Sequence, residues 1–287
     1  MEFNGTKFQC LNYGHNYDLK WSYMYTDDNH TYSINDEDNT RDLGIIMSSS
    51  GNFIDHINMI TKKAKIRCGW IYRSFMRNDI PFMKKLWKTY IQGLIDFGSQ
   101  VWCPVIISQI SQVENVLRHY TDRIKGLENY NYWERLKILK IYSQQRRFER
   151  YIINYIWKIK IGMVPNYGIN FDTSSRRGTI VKIPNLSSEV KLSVKTLREQ
   201  SLTYHGGNMF NILPYEIREF IGGVNEFKLL LDEFLATIPD QPHGPGLYPE
   251  PINRLTCINS NAIVDWIRHL NIGERRPPIR EDDIVIS

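Results

Sequence analysis

One amphipathic stretch constrains the fold more than any other part of the chain. Between residues 53 and 75 the apolar side chains recur at steps of three and four, which places them on one face of an α-helix. They are Phe53, Ile57, Ile60, Ala64, Cys68, Ile71 and Phe75. The other positions carry the cations Lys62, Lys63, Lys65, Arg67, Arg73 and Arg77, and no Asp or Glu lies between residues 56 and 78. Such a helix can pack on a core while presenting charge to a polyanion, although an ordinary solvated basic face gives the same pattern.

The other periodic stretches predict an α+β protein that is mainly α. Short strands are expected at 8–14, in a hairpin at 23–34, and from Leu43 to Met47. Further helices are predicted over 79–98, 110–124 and 132–162, and a small helical region after Pro214. The predicted N-caps are Asp79, with Pro81 in the first turn, and Ser143, which restarts the helix that begins at 132. Residues 163–200 are rich in Ser, Thr, Gly and Pro, which favours loops with at most one hairpin.

Five segments are expected along the chain. They are a β segment over 1–50, a three-helix bundle over 51–128, a basic helical extension over 129–165, a small mixed region over 166–240, and a linker, short helix and tail over 241–287.

Composition sets wide limits on function. With 287 residues, of which 42% are hydrophobic and 23% charged, the chain can bury one substantial core. A net charge of +5 permits nucleic-acid binding without requiring it. The cysteines never form a C-x-x-C pair, so neither a zinc site nor a disulfide framework is expected; they are Cys10, Cys68, Cys103 and Cys257. The sequence has neither a signal-peptide pattern nor an apolar run of membrane-spanning length, so we expect an intracellular protein, in the cytoplasm or the nucleus.

A second basic stretch lies between residues 134 and 160. Its cations are Arg135, Lys137, Lys140, Arg146, Arg147, Arg150, Lys158 and Lys160, against the acids Glu134 and Glu149. Aromatic residues alternate with these arginines, as they would on a helix that faces nucleic acid. Core aromatics beside a solvated polar face explain the same pattern equally well.

Tyr25-Thr26-Asp27-Asp28 is the one motif that suggests a metal site, because paired carboxylates at a hairpin tip can hold Mg²⁺ for phosphoryl transfer. Two-metal chemistry needs carboxylates from two separate strands. Asp18 is the only aspartate upstream of Tyr25, so we expect an acidic hairpin turn and no metal site at Asp27 and Asp28. A hydrolase site is not expected either, since no G-x-S-x-G is present.

Several short segments follow one another in an order that is typical of a known family. They are Phe3-Asn4-Gly5-Thr6-Lys7-Phe8, Asp42-Leu43-Gly44-Ile45-Ile46-Met47-Ser48, His56-Ile57 with Cys68-Gly69-Trp70, Phe97-Gly98-Ser99-Gln100-Val101-Trp102-Cys103-Pro104, Tyr132-Trp133-Glu134-Arg135-Leu136-Lys137, Ser143 to Tyr151, Asn211-Ile212-Leu213-Pro214 and Ile238-Pro239-Asp240. In this order the chain resembles the C-terminal part of non-LTR (LINE-type, jockey-like) retrotransposon reverse transcriptases. The resemblance covers the end of the palm, the thumb and the C-terminal extension.

The resemblance implies a role in holding primer and template rather than in catalysis. In the family the catalytic Asp-Asp hairpin precedes the Lys7 segment, whereas here Asp27 and Asp28 follow it. The Mg²⁺ site is therefore expected in a longer parent enzyme, with Lys7 as a weak candidate general acid. Residues Leu43 and Gly44 would form the primer-grip strand.

The resemblance also implies which cations contact nucleic acid. RNA and DNA would be contacted through Lys62, Lys63, Arg67, Arg73, Arg146, Arg147 and Arg150. It makes His205-Gly206-Gly207 a turn before residues 211–214, and it implies the missing palm and fingers as a further partner. The alternative is a helical interaction or scaffold module, a decayed remnant with no nucleic-acid role.

Overall fold

Short strands precede a largely helical chain, and the structure, a computed structural model, is of the mainly α, α+β class that the sequence predicts. It describes residues 7–13, 23–26, 30–174, 178–186, 195, 197–199, 201–238 and 240. The chain divides into two compact units, Met1–Ile60 and Thr61–Ser287. The finer division at residues 128, 165 and 240 stays a prediction. The predicted linker after residue 240, the short helix near 262–270 and the tail lie outside the described residues.

Two small sheets lie in the described residues of the first unit. Its strands are β1 (Gln9–Cys10), β2 (Tyr23–Thr26), β3 (Thr31–Asp36), β4 (Asn39–Asp42) and β5 (Ile45–Ser48). The β2–β3 pair is antiparallel, which confirms the predicted hairpin, and β1 adds to β3 in parallel. Residues 27–29 of the hairpin turn lie outside the described residues.

The β4–β5 hairpin corrects one strand boundary. The sequence predicts a strand from Leu43 to Met47, but Leu43 and Gly44 form the tight turn between β4 and β5. Both have positive φ angles, 44° and 93°, which is the backbone of a type I′ turn. A leucine rarely adopts this conformation because its Cβ crowds the backbone. Leu43 lies at the tip because the register of the hairpin pairs Asp42 with Ile45 and leaves Leu43 and Gly44 as the two turn residues.

The long basic helix forms as predicted. Helix α1 (Ile54–Ser74) buries Ile57, Ile60, Ala64 and Ile71, which are four of the seven predicted core positions. Its first turn is fixed in the first unit, where the backbone N–H of Ile46 donates to Nδ1 of the buried His56 at 3.2 Å. Phe75 lies beyond the end of the helix and is exposed.

Within the described residues the second unit contains, besides the rest of α1 and the helical residues 195 and 197–199, the following helices and a two-stranded sheet. They are α2 (Ile80–Leu86), a first π-helical segment (Trp87–Gln92), α3 (Gly93–Asp96), α4 (Ser99–Trp102), α5 (Ile107–Asp122), α6 (Tyr132–Leu139), α7 (Gln144–Lys160), β6 (Phe171–Asp172), β7 (Ile180–Val181), a second π-helical segment (Leu202–Gly206), α8 (Gly207–Ile212), α9 (Tyr215–Arg218) and α10 (Val224–Ala236). The β6–β7 pair lies in the stretch 163–200 where the sequence predicts loops with at most one hairpin, but residues 195 and 197–199 of that stretch are helical.

The structure confirms the two N-caps that the sequence predicts. Asp79 caps α2 through the Phe82 N–H at 2.9 Å, and Ser143 caps α7 through the Arg146 N–H at 3.1 Å. The prediction of a turn at residues 205–207 is wrong, because these residues are helical. A Cβ at Gly206 would lie 2.6 Å from Ile156 Cδ1, so glycine is required for close packing there.

Helix α7 is central to the core of the second unit. Its apolar face packs with residues of α8 and α10 in one buried cluster. Within that cluster the rings of Trp157 and Phe227 stack with centroids 4.0 Å apart and an interplanar angle of 4°. Phe210 and Leu231 are fully buried beside them. Removing any one of these large side chains would leave a cavity in the core of this unit.

Two carboxylates hold the N-terminus of α7. The backbone N–H groups of Gln144 and Gln145 each donate to Glu114 of α5 at 3.2 Å, and the Tyr132 hydroxyl donates to Glu114 as well. Asp240 accepts from the Ser143 N–H and from its hydroxyl, both at 2.6 Å. A helix N-terminus favours negative charge, which explains why two acids lie there.

Glu114 should make stability depend on pH. Burial raises the pKa of its carboxyl to about 7, against the opposing effect of its hydrogen bonds. Because the folded pKa exceeds the unfolded one, the contribution of Glu114 is fully present below about pH 4.5 and is lost as the pH rises through 7, by up to about 3 kcal/mol.

The Glu114→Gln variant should therefore lose this part of the pH dependence. Chemical unfolding at pH 4.5, 5.5, 6.5 and 7.5 would measure it, with Glu128→Gln on the surface as the matched control. If the wild-type and E114Q free energies of unfolding ran parallel over this range, Glu114 would not titrate as described.

Candidate nucleic-acid interface

The solvent side of α1 is the candidate interface. We call it the outer face of α1 and define it by six exposed residues: Lys62, Lys63, Ile66, Arg67, Trp70 and Arg73. They recur at steps of three and four on the solvent side of the helix, and Arg67, three residues after Ala64 and four before Ile71, lies at the border of the buried stripe. Four of the six are cations predicted to contact nucleic acid, and the structure brings them together on one helix surface.

The stretch of sequence that contains this face is strongly positive. Between residues 61 and 95 the only acid is Asp79, and it is paired with Arg77. The cations of this stretch are Lys62, Lys63, Lys65, Arg67, Arg73, Arg77, Lys84, Lys85 and Lys88. Partial burial, and then neighbouring positive charges, lower the pKa values of Lys84 and Lys88.

Most cations of the outer face are available to a ligand. In the described part of the chain Lys62, Lys63 and Arg73 form no ion pair. Arg67 donates from Nη1 to the Tyr90 carbonyl at 2.7 Å, so its guanidinium is held beside the first π-helical segment. A guanidinium has five N–H donors, and the fixed orientation lowers the entropy that Arg67 would lose on binding phosphate.

The prediction that Arg146 contacts RNA is wrong, because its side chain is buried with 1% exposure. Its Nη1 donates to the Leu235 carbonyl at 3.3 Å. Its Nε lies 3.8 Å from carboxylate oxygens of Glu149 and of Asp240. Arg146 is therefore an interior cation that is neutralised by the protein itself.

Arg147 and Arg150 are also paired inside the second unit, and the predicted RNA-facing surface of α7 does not form. Arg147 binds Asp96 at 2.6 Å and the Tyr151 hydroxyl at 2.7 Å. Arg150 makes a two-pronged pair with Asp232, in which one N···O distance is 2.6 Å. The side chains of Arg147 and Arg150 are only 24% and 15% exposed. These pairs join α7 to α3 and α10.

The predicted residues of the first unit occupy other positions. Leu43 is 85% exposed at the tip of the β4–β5 hairpin, next to Gly44, and Lys7 is exposed before β1. The hairpin therefore offers a projecting apolar side chain where the resemblance implies a primer-grip strand.

Three chemically suggestive residues line a small cleft in the second unit: Cys103, Glu149 and His205. Burial raises the pKa of the Cys103 thiol and lowers the pKa of His205 to about 4. Both groups are therefore neutral at pH 7, whereas a cysteine nucleophile needs a thiolate, usually beside an imidazolium. The cleft does not have the electrostatics of a Cys–His catalytic site.

Neither a metal-binding cluster nor a membrane-spanning helix is found among the described residues. Within the described ranges no group of three or more His, Cys, Asp or Glu side chains is placed to hold a metal ion. Asp27 and Asp28 lie outside those ranges, so their expected role as a plain acidic turn stays a prediction. Among the helices that the structure describes, none combines the length and apolarity that a bilayer crossing requires.

Comparison with known proteins yields little. No family model matches the chain, and no solved structure matches it. A Caenorhabditis elegans protein described as uncharacterized is 29% identical over 98 residues, which is 33% of this chain and 50% of that relative. The chain thus aligns with about half the length of the curated relative it matches.

Sequence reasoning missed the apolar members of the outer face. Trp70 is 59% exposed and Ile66 45% exposed, and both lie among the cations. The sequence pattern does indicate that Trp70 and Ile66 are exposed, because neither falls on the three-and-four spacing that runs through Ala64, Cys68 and Ile71. Tyr90, which lies on the three-and-four spacing through Leu86, Trp87, Ile91 and Leu94 of the predicted helix 79–98, is also exposed.

The Arg150–Asp232 pair should matter for stability and not for binding. Asp232→Ala leaves the Arg150 charge largely buried and unpaired, which should cost about 3 kcal/mol of unfolding free energy. Arg77→Ala, which breaks the exposed Arg77–Asp79 pair, should cost less than about 1 kcal/mol. Urea titration of both variants checks this, and equal losses would contradict the structural role of Arg150.

Proposed function

We propose that the outer face of α1 binds the phosphate backbone of nucleic acid. The observation that carries this proposal is the joint exposure of Lys62, Lys63, Arg67 and Arg73 on one helix surface in a stretch with a single, already paired acid. Contacts of this kind hold and orient a polyanion without reading its sequence.

Within this proposal the chain is a primer- and template-gripping portion of an RNA-directed DNA polymerase. The support is the order of motifs that resembles LINE-type reverse transcriptases, together with a basic helix in the place where that resemblance puts the thumb. The catalytic aspartates, and the Mg²⁺ they would hold, belong to a missing palm that would be a protein partner. The chain would act inside the cell, in the cytoplasm or the nucleus.

The β4–β5 hairpin would contribute a second contact. Leu43 at its tip is exposed and held in a left-handed conformation that costs about 1–2 kcal/mol for a side chain with a Cβ. Backbone outliers of this kind concentrate at binding sites. In the intact enzyme we assign Leu43 and Gly44 to a contact near the primer terminus.

A helical scaffold module is the second candidate. The observation that favours it is the internal pairing of Arg146, Arg147 and Arg150, which removes three of the seven cations predicted to contact nucleic acid. A scaffold would bind nucleic acid weakly and without dependence on particular cations.

Salt dependence separates the two candidates. The logarithm of the binding constant for a DNA duplex should fall linearly with the logarithm of the salt concentration, and Lys62→Ala with Lys63→Ala should lower the slope by about 2. Fluorescence polarisation with a labelled duplex between low and moderate salt measures this.

The matched control is Lys125→Ala with Lys137→Ala, which removes the same charge from exposed positions elsewhere. The proposal fails if wild-type affinity does not change with salt. It also fails if the two double variants lose the same amount of affinity.

A further inference from the structure

We propose that the outer face of α1 takes single-stranded nucleic acid, with one unpaired base stacked on Trp70. The inference rests on the proposed function and makes it more specific, because it names the form of nucleic acid that this surface prefers. It starts from a side chain that phosphate binding does not explain.

Trp70 lies in the middle of the cations. Arg67 and Arg73 are three residues away on either side, and Lys63 lies two turns before it on the same side of the helix. Side chains three or four residues apart on a helix have Cβ atoms about 5–6 Å apart. The indole of Trp70 therefore lies between the positive charges of Arg67 and Arg73. The indole is 59% exposed, and an exposed tryptophan has a large apolar surface that water solvates poorly.

Unpaired bases can stack on Trp70, whereas the interior bases of a duplex cannot. In a duplex both faces of an interior base are covered by neighbouring base pairs, so a ring on a helix surface cannot stack on them. A single strand exposes base faces and phosphates together, which matches an aromatic ring set among cations. Charge complementarity argues against an acid-poor apolar protein as the occupant, since such a partner would leave the cations of the outer face unpaired.

The dimensions are suitable. Lys62 and Arg73 are eleven residues apart, which corresponds to about 16 Å along the helix axis. At about 3.4 Å per stacked nucleotide this length accommodates about four or five nucleotides. The position of Arg67 is fixed by the carbonyl of Tyr90, a residue whose own side chain is 52% exposed.

The test compares two probes and four variants. The probes are a 12-nucleotide oligouridine and a 12-base-pair duplex, measured by fluorescence polarisation over a series of salt concentrations, and the affinities of the variants are compared at one of them. Trp70→Ala should weaken binding of the single strand about ten-fold and change binding of the duplex less than about two-fold. Trp70→Phe should restore most of the loss, whereas Trp70→Leu, which is apolar but cannot stack, should not.

Tyr167→Ala is the matched control, because it removes another exposed aromatic ring from the same unit and should change neither affinity. Circular dichroism of each variant checks that it is folded. The salt slope of Trp70→Ala should equal that of the wild type, since no charge is removed.

The possible negative results separate the stacking claim from the phosphate-binding claim. If the wild type binds both probes with a strong salt dependence but Trp70→Ala has no effect, or affects both equally, stacking is wrong and phosphate binding stands. If Trp70→Leu binds as well as Trp70→Phe, the contact is apolar and stacking is again overturned. If the wild type binds neither probe, the proposed function fails, and the preference for single strands fails with it.

Discussion

The neutralisation of charge at the N-terminal half of α7 is the constraint on which the second unit depends. A buried arginine without a countercharge would cost several kcal/mol, and three arginines lie within five residues here. Asp96, Asp232 and Asp240 supply the countercharges. They come from α3, from α10 and from the segment after α10, so the pairs are complete only when these elements surround α7.

This internal pairing decides which cations remain for a ligand. Residues 134–160 are as basic as residues 53–78 in sequence, yet the arginines of α7 bind acids of the protein itself. Lys62, Lys63 and Arg73 of α1 form no ion pair with any acid in the described part of the chain. Two stretches of similar composition therefore differ in how far their cations are paired within the protein.

Features set by nearby residues could be predicted from the sequence. The N-caps Asp79 and Ser143 and the buried stripe of α1 depend on neighbours within about one turn, so local patterns reveal them. Features set by distant residues could not. Arg147 and Asp96 are 51 residues apart, and Arg150 and Asp232 are 82 residues apart, so nothing local marks these arginines as interior.

Backbone exceptions also escape local rules. Leucine rarely adopts a positive φ angle, so the residue type alone places Leu43 in a strand and not in a turn. The turn at Leu43 follows from the register in which β4 pairs with β5, which residue type does not reveal. The first π-helical segment shifts the helical phase, which is why Tyr90 faces solvent although α-helical spacing places it inside.

Protection of lysines from chemical modification tests the central claim most directly. The full chain would be acetylated with and without a saturating oligonucleotide, and the modified lysines quantified by mass spectrometry. Lys62 and Lys63 should be protected several-fold, while Lys125 and Lys137 should react as they do in the unbound protein. Equal protection at all four lysines, or none at Lys62 and Lys63, would contradict the assignment of the outer face of α1 as the nucleic-acid interface.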